Sequence, residues 1–182
     1  MNINLFIQGI IELVLAILSG ILIYFASMKA FSFFTKGIDE EKEFKNNNTA
    51  VSILISAFIF GIMLLIKESI SPSMENLGYT MSQGSLTSGS LGVALFRIVM
   101  IYLVSAVCSF IFLMLSINFF MVLTTKIDEI KEIKKNNVAV SIIIGTFAVS
   151  VALLTMEPLK TLLKSFISAP VVTGAYKEPL IN

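Results

Sequence analysis

Amide and hydroxyl side chains recur at four-residue spacing in two stretches of this chain, which lie 89 residues apart. The two sets are Asn48, Ser52 and Ser56, and then Asn137, Ser141 and Gly145. Positions four residues apart lie on one face of a helix, so each set predicts a small, polar stripe two turns long. Such a stripe can cap the start of a helix, allow two helices to pack closely in a membrane, or line a path for ions.

The two stripes belong to a longer internal repeat. Residues 38–53 and 127–142 are identical at 12 of 16 aligned positions, and both copies contain Asn-Asn-x-Ala-Val-Ser-Ile. We therefore predict two copies of a two-helix unit. Because each copy is expected to begin on the same side of the membrane, the copies should be parallel and related by an approximate two-fold axis along the membrane normal.

The composition is typical of a membrane protein. Of the 182 residues, 56% are hydrophobic and only 14% are charged, and the mean hydropathy of +0.91 lies outside the usual range of soluble domains. The formal net charge of +1 leaves no broad basic surface, which excludes nucleic-acid binding as a function.

The chain lacks most of the side chains that proteins commonly use for catalysis and metal binding. The chain has no histidine, and its one cysteine, Cys108, lies inside an apolar run. Ser–His and Cys–His nucleophiles, zinc clusters and a disulfide within the chain are therefore excluded, and we expect no cofactor and no metal.

The carboxylates do not form a catalytic pair either. A charged connector joins the two helices of each repeat. The carboxylates of the two connectors include Asp39, Glu40, Asp128 and Glu129. They are predicted to lie on the opposite side of the membrane from Glu12, so they cannot share a pocket with it. Without a nucleophile and a base in reach of each other, we predict a protein that is not an enzyme.

Four segments are long and apolar enough to cross a bilayer, which takes roughly 20 apolar residues in a helix. They run from about Leu5 to Phe34, Thr49 to Ile66, Leu91 to Leu123 and Val138 to Met156. The runs do not alternate in polarity as barrel strands do, and backbone groups in lipid must be satisfied within the segment. We predict an all-α polytopic membrane protein with four transmembrane helices, built as two parallel two-helix repeats, with the first and third helices continuing through Phe34 and Leu123.

The balance of lysines predicts the orientation. Eight lysines flank the spans on the side of the repeats, and five basic residues lie on the other side. By the positive-inside rule, the charged connectors of the two repeats should lie on the cytoplasmic side of the membrane, and both termini on the other side. The first residues lack the pattern of a cleaved signal peptide, so we expect the first span to be retained.

The predicted layout is one membrane domain. The first repeat covers about residues 5–68, a linker about 69–90, the second repeat about 91–157 and a tail about 158–182. The linker is rich in Ser, Gly and Thr and is predicted to be a flexible extracytoplasmic loop, with contact to a substrate as the alternative. The tail segment PLKTLLKSFI is expected to extend the fourth helix, to lie on the surface as an amphipathic turn, or to fray.

The two connectors suit short helices at the membrane surface. In the second copy Ile127, Ile130 and Ile133 are spaced three apart, which gives one apolar side and leaves Asp128 and Glu129 for water. In the first copy, Ile38 and Phe44 are the predicted apolar anchors.

Each connector is followed by an asparagine at the start of the next span. Because Asn accepts hydrogen bonds from free amides in the first turn of a helix, Asn48 and Asn137 are predicted to be N-caps. The rest of each stripe favours close packing of the second and fourth helices across the two-fold axis. A polar vestibule that admits ions from the cytoplasm remains the alternative.

Glu12 is an ionisable residue near the outer end of the first span, where charge is costly. The register of the repeat aligns Gln8 with Arg97, which makes Arg97 the natural partner of Glu12. The alternatives are a carboxylate at the outer interface, with a tilted or thinned bilayer, and a proton-coupling carboxylate.

The phrase KNNNTAVSI, its echo KNNVAVSI, and the four spans around them resemble the YjfL-type family of small bacterial inner-membrane proteins, a domain of unknown function. The matching residues are Asn47, Asn48 and Ala50, and then Asn136, Asn137 and Ala139. This resemblance implies a helical four-span protein of the bacterial cell (inner) membrane. In some relatives it implies an association with phage-shock (PspA-type) envelope-stress proteins.

Two functions from different classes follow. The first is a non-enzymatic, homo-oligomeric membrane protein that organises the membrane or anchors a cytoplasmic partner through its connectors. The second is a small ion channel or transporter, whose path would be lined by the Asn and Ser stripes of the second and fourth helices.

Overall fold

The structure, a computed structural model, describes residues 3–35, 38–82, 88–124 and 128–167. Within these ranges the chain forms seven helices and no strand. The helices are α1 (Ile3–Phe34), α2 (Glu40–Lys45), α3 (Thr49–Lys67), α4 (Ile70–Ser82), α5 (Ser88–Leu123), α6 (Glu129–Lys134) and α7 (Val138–Lys164). The all-α prediction is confirmed, as is the extension of the first and third long helices through Phe34 and Leu123.

Four helical stretches are long and apolar enough to cross a membrane. They are Gly9–Phe33, Thr49–Thr80, Gly92–Leu123 and Val138–Lys164, with mean hydropathies of 2.3 to 2.7. Large apolar side chains on the outside of the bundle are exposed, for example Leu22 at 70% and Leu154 at 78%. Such side chains are as well solvated by lipid tails as by protein, so their exposure fits a protein that lies in a bilayer.

The helices of the two halves follow the same order. In each half a long helix leads to a six-residue helix and then to a second long helix, and α6 and α7 begin 89 residues after α2 and α3. The short helices lie at the same end of the bundle, which we call the connector end. The opposite end, where α4 lies, is called the α4 end.

The centre of the bundle is the contact between α3 and α7, the largest between any two helices. α5 packs against both of these helices, whereas α1 packs mainly on α3. Phe58 of α3 is fully buried, and its ring centroid lies 5.5 Å from that of Phe31 in α1 and 6.5 Å from that of Phe110 in α5. Only 6% of the spanning window of α1 is buried, against 50% for that of α3, so α1 is the most peripheral span.

The prediction of a flexible linker is wrong for residues 70–82, which form α4, and for residues 88–90, which begin α5. Pro72 lies in the first turn of this helix, where its missing N–H costs no intrahelical bond. Leu77 and Asn76 are buried, and Asn76 Nδ2 donates to the carbonyl oxygen of Ala94 in α5 at 3.0 Å. The Ser-rich composition favours a loop, but packing of one face against α5 decides the structure. Residues 83–87 lie outside the described part of the chain.

The beginning of the tail extends the fourth spanning helix, which is the first of the three alternatives predicted for the segment PLKTLLKSFI. α7 continues through Pro158 to Lys164. Lys164 Nζ lies 2.9 Å from Glu75 Oε1 of α4, and Lys160 Nζ lies 3.9 Å from Glu68 Oε2 at the end of α3. The end of α7 is thereby tied to the α3–α4 corner. The tail from residue 168 onward lies outside the described residues.

Candidate functional site

The repeated Asn-Asn pair forms the corner between each connector helix and the span that follows it. Asn47 and Asn136 have positive φ angles of 54° and 63°. Asparagine tolerates this left-handed conformation better than most residues with a Cβ, because its short amide bonds locally. The first Asn of each pair therefore lets the chain reverse from the connector into the span.

Asn48 joins the two halves of the protein through its side chain. Its Oδ1 accepts from Val51 N at 3.1 Å, which caps α3 as predicted. Its Nδ2 lies 3.1 Å from the carbonyl oxygen of Ile133 in α6 and 2.7 Å from Glu43 Oε2 in α2. The side chain is only 4% exposed. One buried amide thus holds the first connector, the second connector and the start of α3 together.

Asn136 makes a second link in the opposite direction. Its Oδ1 accepts from Ala50 N, in the first turn of α3, at 2.9 Å. A helix start leaves four amides without an intrahelical partner, and α3 finds acceptors for two of them in Asn48 and Asn136. We call this set of bonds between Asn48, Asn136, Ile133 and Ala50 the asparagine clasp.

The clasp is not symmetric, although the motif occurs twice. Asn137, the repeat counterpart of Asn48, makes no side-chain cap for α7, and its Nδ2 donates to Glu132 Oε2 at 2.9 Å. Asn137 is half-buried and Ala139 is exposed, whereas Asn48 and Ala50 are buried. Identical sequences therefore occupy different environments. The predicted cap at Asn137 is absent, although Asn137 and Asn48 both donate to a glutamate of their own connector.

The acidic residues that open the connectors do not all face water. Asp39 and Asp128 are exposed N-caps that accept from the amides of Lys42 and Lys131 at 3.1 Å. Glu129, however, is only 6% exposed and accepts from the Thr124 hydroxyl at the end of α5. The prediction that Glu129 faces water is wrong, since its side chain turns back onto the preceding long helix.

Glu40 turns back in the same way as Glu129. It is half-buried, and its Oε2 accepts from Ser32 Oγ of α1 at 2.7 Å. Of the predicted apolar anchors, Ile38 and Ile133 are buried, whereas Phe44 is 40% exposed and does not anchor α2. Ile127 lies outside the described residues. Each connector is thus fixed at its start by a carboxylate and at its end by an asparagine.

The two stripes only partly meet between α3 and α7. Ser141 and Gly145 of α7 are buried, and a Cβ added at Gly145 would lie 2.8 Å from Ala57 Cβ of α3. Ser52 is half-buried and Ser56 is exposed, so the stripe of α3 leaves the contact. Residues four apart advance about 40° beyond a full turn, and two such steps carry Ser56 away from α7.

Glu12 and Arg97 do not pair. None of the ion pairs between described residues joins them. Glu12 instead lines a cavity at the α4 end together with Lys67, Glu68 and Lys160. The register of the repeat brings the two residues to similar depth, but α1 packs mainly on α3 and less on α5, which does not favour the expected pair.

Ion pairs on α6 shift the pKa values of its charged groups. Lys131 lowers the pKa of Asp128, since its Nζ lies 2.8 Å from Asp128 Oδ2 and its amide also donates to that side chain. The same pair raises the pKa of Lys131. Lys135 and then Asn137 lower the pKa of Glu132. Asp128 and Lys131 are exposed and Glu132 is half-buried at the surface, so the direction of each shift matters more than its contribution to stability.

The pair between Asp128 and Lys131 should be intact between about pH 4 and pH 10. A lowered carboxyl pKa contributes stability above its unfolded value of about 3.9, and this is lost as the pH falls through the folded pKa. A raised lysine pKa contributes stability below about 10.4, lost as the pH rises through the folded pKa. A carboxyl-carbon NMR titration should place the Asp128 midpoint below 3.9, and Lys131→Ala should raise it. Lys134→Ala is the control, and a wild-type midpoint at the ordinary value would contradict the pairing.

The site has the chemistry of a structural joint. In residues 3–35, 38–82, 88–124 and 128–167, no three His, Cys, Asp or Glu side chains converge as metal ligands would. Its asparagine amides and its carboxylates form hydrogen bonds with helix ends and with one another. Two short helices from the two halves are thereby held in a fixed relation at one end of the bundle.

Comparison with known proteins gives one result. No curated protein and no solved structure matches this chain. The model of one protein family, described as Domain of Unknown Function (DUF350), matches residues 4–159, which include the first three spanning helices, most of the fourth and the clasp. The chain therefore belongs to the DUF350 family.

Proposed function

We propose that this protein is a non-enzymatic membrane scaffold that presents its two connectors as one surface to a cytoplasmic partner. The observation that carries this proposal is the bond from buried Asn48 to the backbone of α6, 85 residues away in the chain. A protein that needed only to span the membrane could cap each span locally. A link between the two connectors is useful where their relative position matters.

The charges at the connector end are suited to binding. Eight charged side chains of the connectors are exposed: Asp39, Glu41, Lys42, Lys45, Asp128, Lys131, Lys134 and Lys135. Five are lysines and three are acids, and the half-buried Glu40, Glu43 and Glu132 add carboxylates to the same surface, which therefore carries both signs. A partner segment with charges of both signs would be the complementary ligand. The five lysines favour placing this end in the cytoplasm.

The resemblance adds finer expectations to the proposal. A YjfL-type protein would lie in a bacterial inner membrane, and a PspA-type stress protein would be a cytoplasmic partner of the right kind. We also propose that the protein assembles as a homo-oligomer. The groove between α5 and α7, about 670 Å³ in volume and lined by apolar side chains such as Phe119 and Val151, supports a helix-to-helix contact there.

A path for ions along the α3–α7 contact finds less support. Leu54, Phe58, Ile144 and Ala148 fill this contact and are at most 2% exposed. Asn48 is buried in the clasp with its amide fully used. The polar groups that such a path would need are therefore engaged elsewhere or turned away from the contact.

The proposal is tested by measuring capture of cytosolic proteins on nanodiscs that hold the purified protein. Reversing two exposed charges, in Lys131→Glu with Lys134→Glu, should lower capture of a specific partner by about tenfold, as charge reversal at an interface does. Lys131→Arg with Lys134→Arg, which keeps both charges at the same positions, is the matched control and should leave capture unchanged.

A flux assay in liposomes supplies the opposing outcome. The scaffold should carry no ion flux under any gradient. Ion-selective flux that is lost when Asn48 and Asn137 are both changed to alanine would overturn the proposal in favour of a channel.

A further inference from the structure

The α4 end of the bundle contains a cavity whose lining carries charges of both signs. It has a volume of about 460 Å³ and is lined by Glu12, Lys67, Glu68, Ser71, Glu75 and Lys160, among others. These residues come from α1, from the α3–α4 corner and from α7. The cavity therefore lies where three spanning helices reach the membrane interface, far from the connectors.

Several of these charges are poorly matched by the protein itself. Glu68 is only 9% exposed, and its ion-pair contact, Lys160 Nζ, is 3.9 Å away, beyond hydrogen-bond distance. Among the ion pairs formed by described residues, neither Glu12 nor Lys67 takes part. Glu12 and Lys67 are exposed, but a buried carboxylate such as Glu68 is costly unless it is paired and hydrogen-bonded, so this cavity suits a ligand that brings a cation to Glu68.

Glu75 is the exception among the carboxylates. Its Oε1 is 2.9 Å from Lys164 Nζ and also accepts from Ser71 Oγ at 3.1 Å. With Glu75 satisfied, the remaining lining charges are two carboxylates, Glu12 and Glu68, and two ammonium groups, Lys67 and Lys160. A zwitterion would match both signs at once.

An apolar groove continues from the charged cavity into the bundle. It has a volume of about 180 Å³, is lined by Ser19, Gly20, Ile23 and Met63 among others, and shares Lys67 and Ile70 with the charged cavity. Ile23 lies 11 residues beyond Glu12 in α1, which is about 16 Å along the helix axis. A Cβ added at Gly20 would meet nothing within 4 Å, so the groove is open beside this residue.

We propose that the cavity and groove together bind one phospholipid with a zwitterionic headgroup that contains a primary amine. The ammonium group donates hydrogen bonds to Glu12 and Glu68, and the phosphate lies against Lys67 and Lys160. One acyl chain follows the groove between α1 and α3. An anionic headgroup without an amine leaves the carboxylates unmatched, and a quaternary amine has no N–H to donate to them.

The lipid is tested with the full chain in nanodiscs made from equal parts phosphatidylethanolamine, phosphatidylcholine and phosphatidylglycerol. Lipid retained after extraction into detergent is quantified by native mass spectrometry. Phosphatidylethanolamine should be retained about tenfold over either of the other lipids, as one satisfied charge-assisted contact predicts. Equal retention of the three lipids would overturn the proposal.

Two variants locate the site. Glu12→Gln removes one carboxylate at an exposed position, and Gly20→Leu fills the groove. Each should lower retention of phosphatidylethanolamine by about tenfold. Gly92→Leu, on α5, is the matched control, since a Cβ there also meets nothing within 4 Å. Unchanged retention in Gly20→Leu would overturn the role of the groove.

Competition with soluble phosphoethanolamine tests whether the headgroup alone is sufficient for binding. At millimolar concentration it should not displace the retained lipid, because it lacks the chain that follows the groove. Displacement would overturn the lipid as ligand and leave a soluble zwitterion in its place. The outcome is independent of any partner at the connector end.

Discussion

Changing Asn48 to alanine should lower the free energy of unfolding by about 3 kcal/mol, whereas the same change at Asn137 should cost about 1 kcal/mol. The change at Asn48 removes an N-cap bond, worth about 1 kcal/mol, and two donations of the amide, to Glu43 and to the carbonyl of Ile133, which keeps its bond from the Asn136 amide. Each of these two lost hydrogen bonds adds about 0.5–1.5 kcal/mol. Asn137 is half-buried and loses only its bond to Glu132.

The two alanine variants serve as controls for each other, because Asn48 and Asn137 occupy equivalent positions in the repeat. Both variants should be unfolded by sodium dodecyl sulfate in mixed micelles, and the loss of helix followed by circular dichroism. If the clasp is asymmetric, the two losses differ by about 2 kcal/mol. Equal losses would show that each asparagine only caps its own helix, and would contradict the link between connectors.

Changing Gly145 to alanine should destabilise the contact between α3 and α7 by about 2 kcal/mol. Its added methyl group would lie 2.8 Å from Ala57 Cβ, closer than carbon atoms approach without displacement. Since both atoms lie at the centre of the bundle, the two helices must separate by several tenths of an ångström. Alanine is otherwise the better helix former, so the sign of the effect reports the close approach.

The contact can be tested by compensation. In a background of Ala57→Gly, the change Gly145→Ala should cost much less, with a coupling of about 1–2 kcal/mol in the double-mutant cycle. Gly9→Ala is the control, because a Cβ there meets nothing within 4 Å. Additive losses in the cycle would contradict direct contact between the two positions.

The long helices could be predicted because lipid leaves a span few alternatives. The predicted span from Thr49 to Ile66 and the helix Thr49–Lys67 differ by one residue, and the span from Leu91 ends at Leu123 as α5 does. Hydrophobic length, together with the need to satisfy the backbone internally, decides these bounds. The fourth helix is longer than the predicted span, which ends at about Met156, because α7 continues to Lys164. The added residues include charged side chains, so hydropathy alone does not indicate that they are helical.

α4 could not be predicted from composition. Its sequence holds three serines, a proline, an asparagine and a glycine, which are common in loops. What makes it helical is a face that includes buried Asn76 and Leu77 against α5. Packing between segments that are distant in the chain does not show in local propensity, so a short helix of this kind is missed.

The asparagines were the informative signal, but the sequence showed only half of their role. Capping of α3 by Asn48 follows from residue type and position. The bond from Asn48 to Ile133 depends on which segments meet at the connector end, and spacing along the chain does not contain that information. The repeat even suggests equivalence between Asn48 and Asn137 that the structure lacks.

The central claim is that both connectors lie on one face of the membrane, close enough to be joined by the clasp. Its most direct test is labelling from one side, with Cys108 changed to alanine and a single cysteine introduced by Lys42→Cys or by Lys131→Cys. Both positions are exposed, in α2 and in α6. In sealed vesicles of defined orientation, a membrane-impermeant maleimide should label both variants from the same side. Labelling of the two variants from opposite sides would contradict the account.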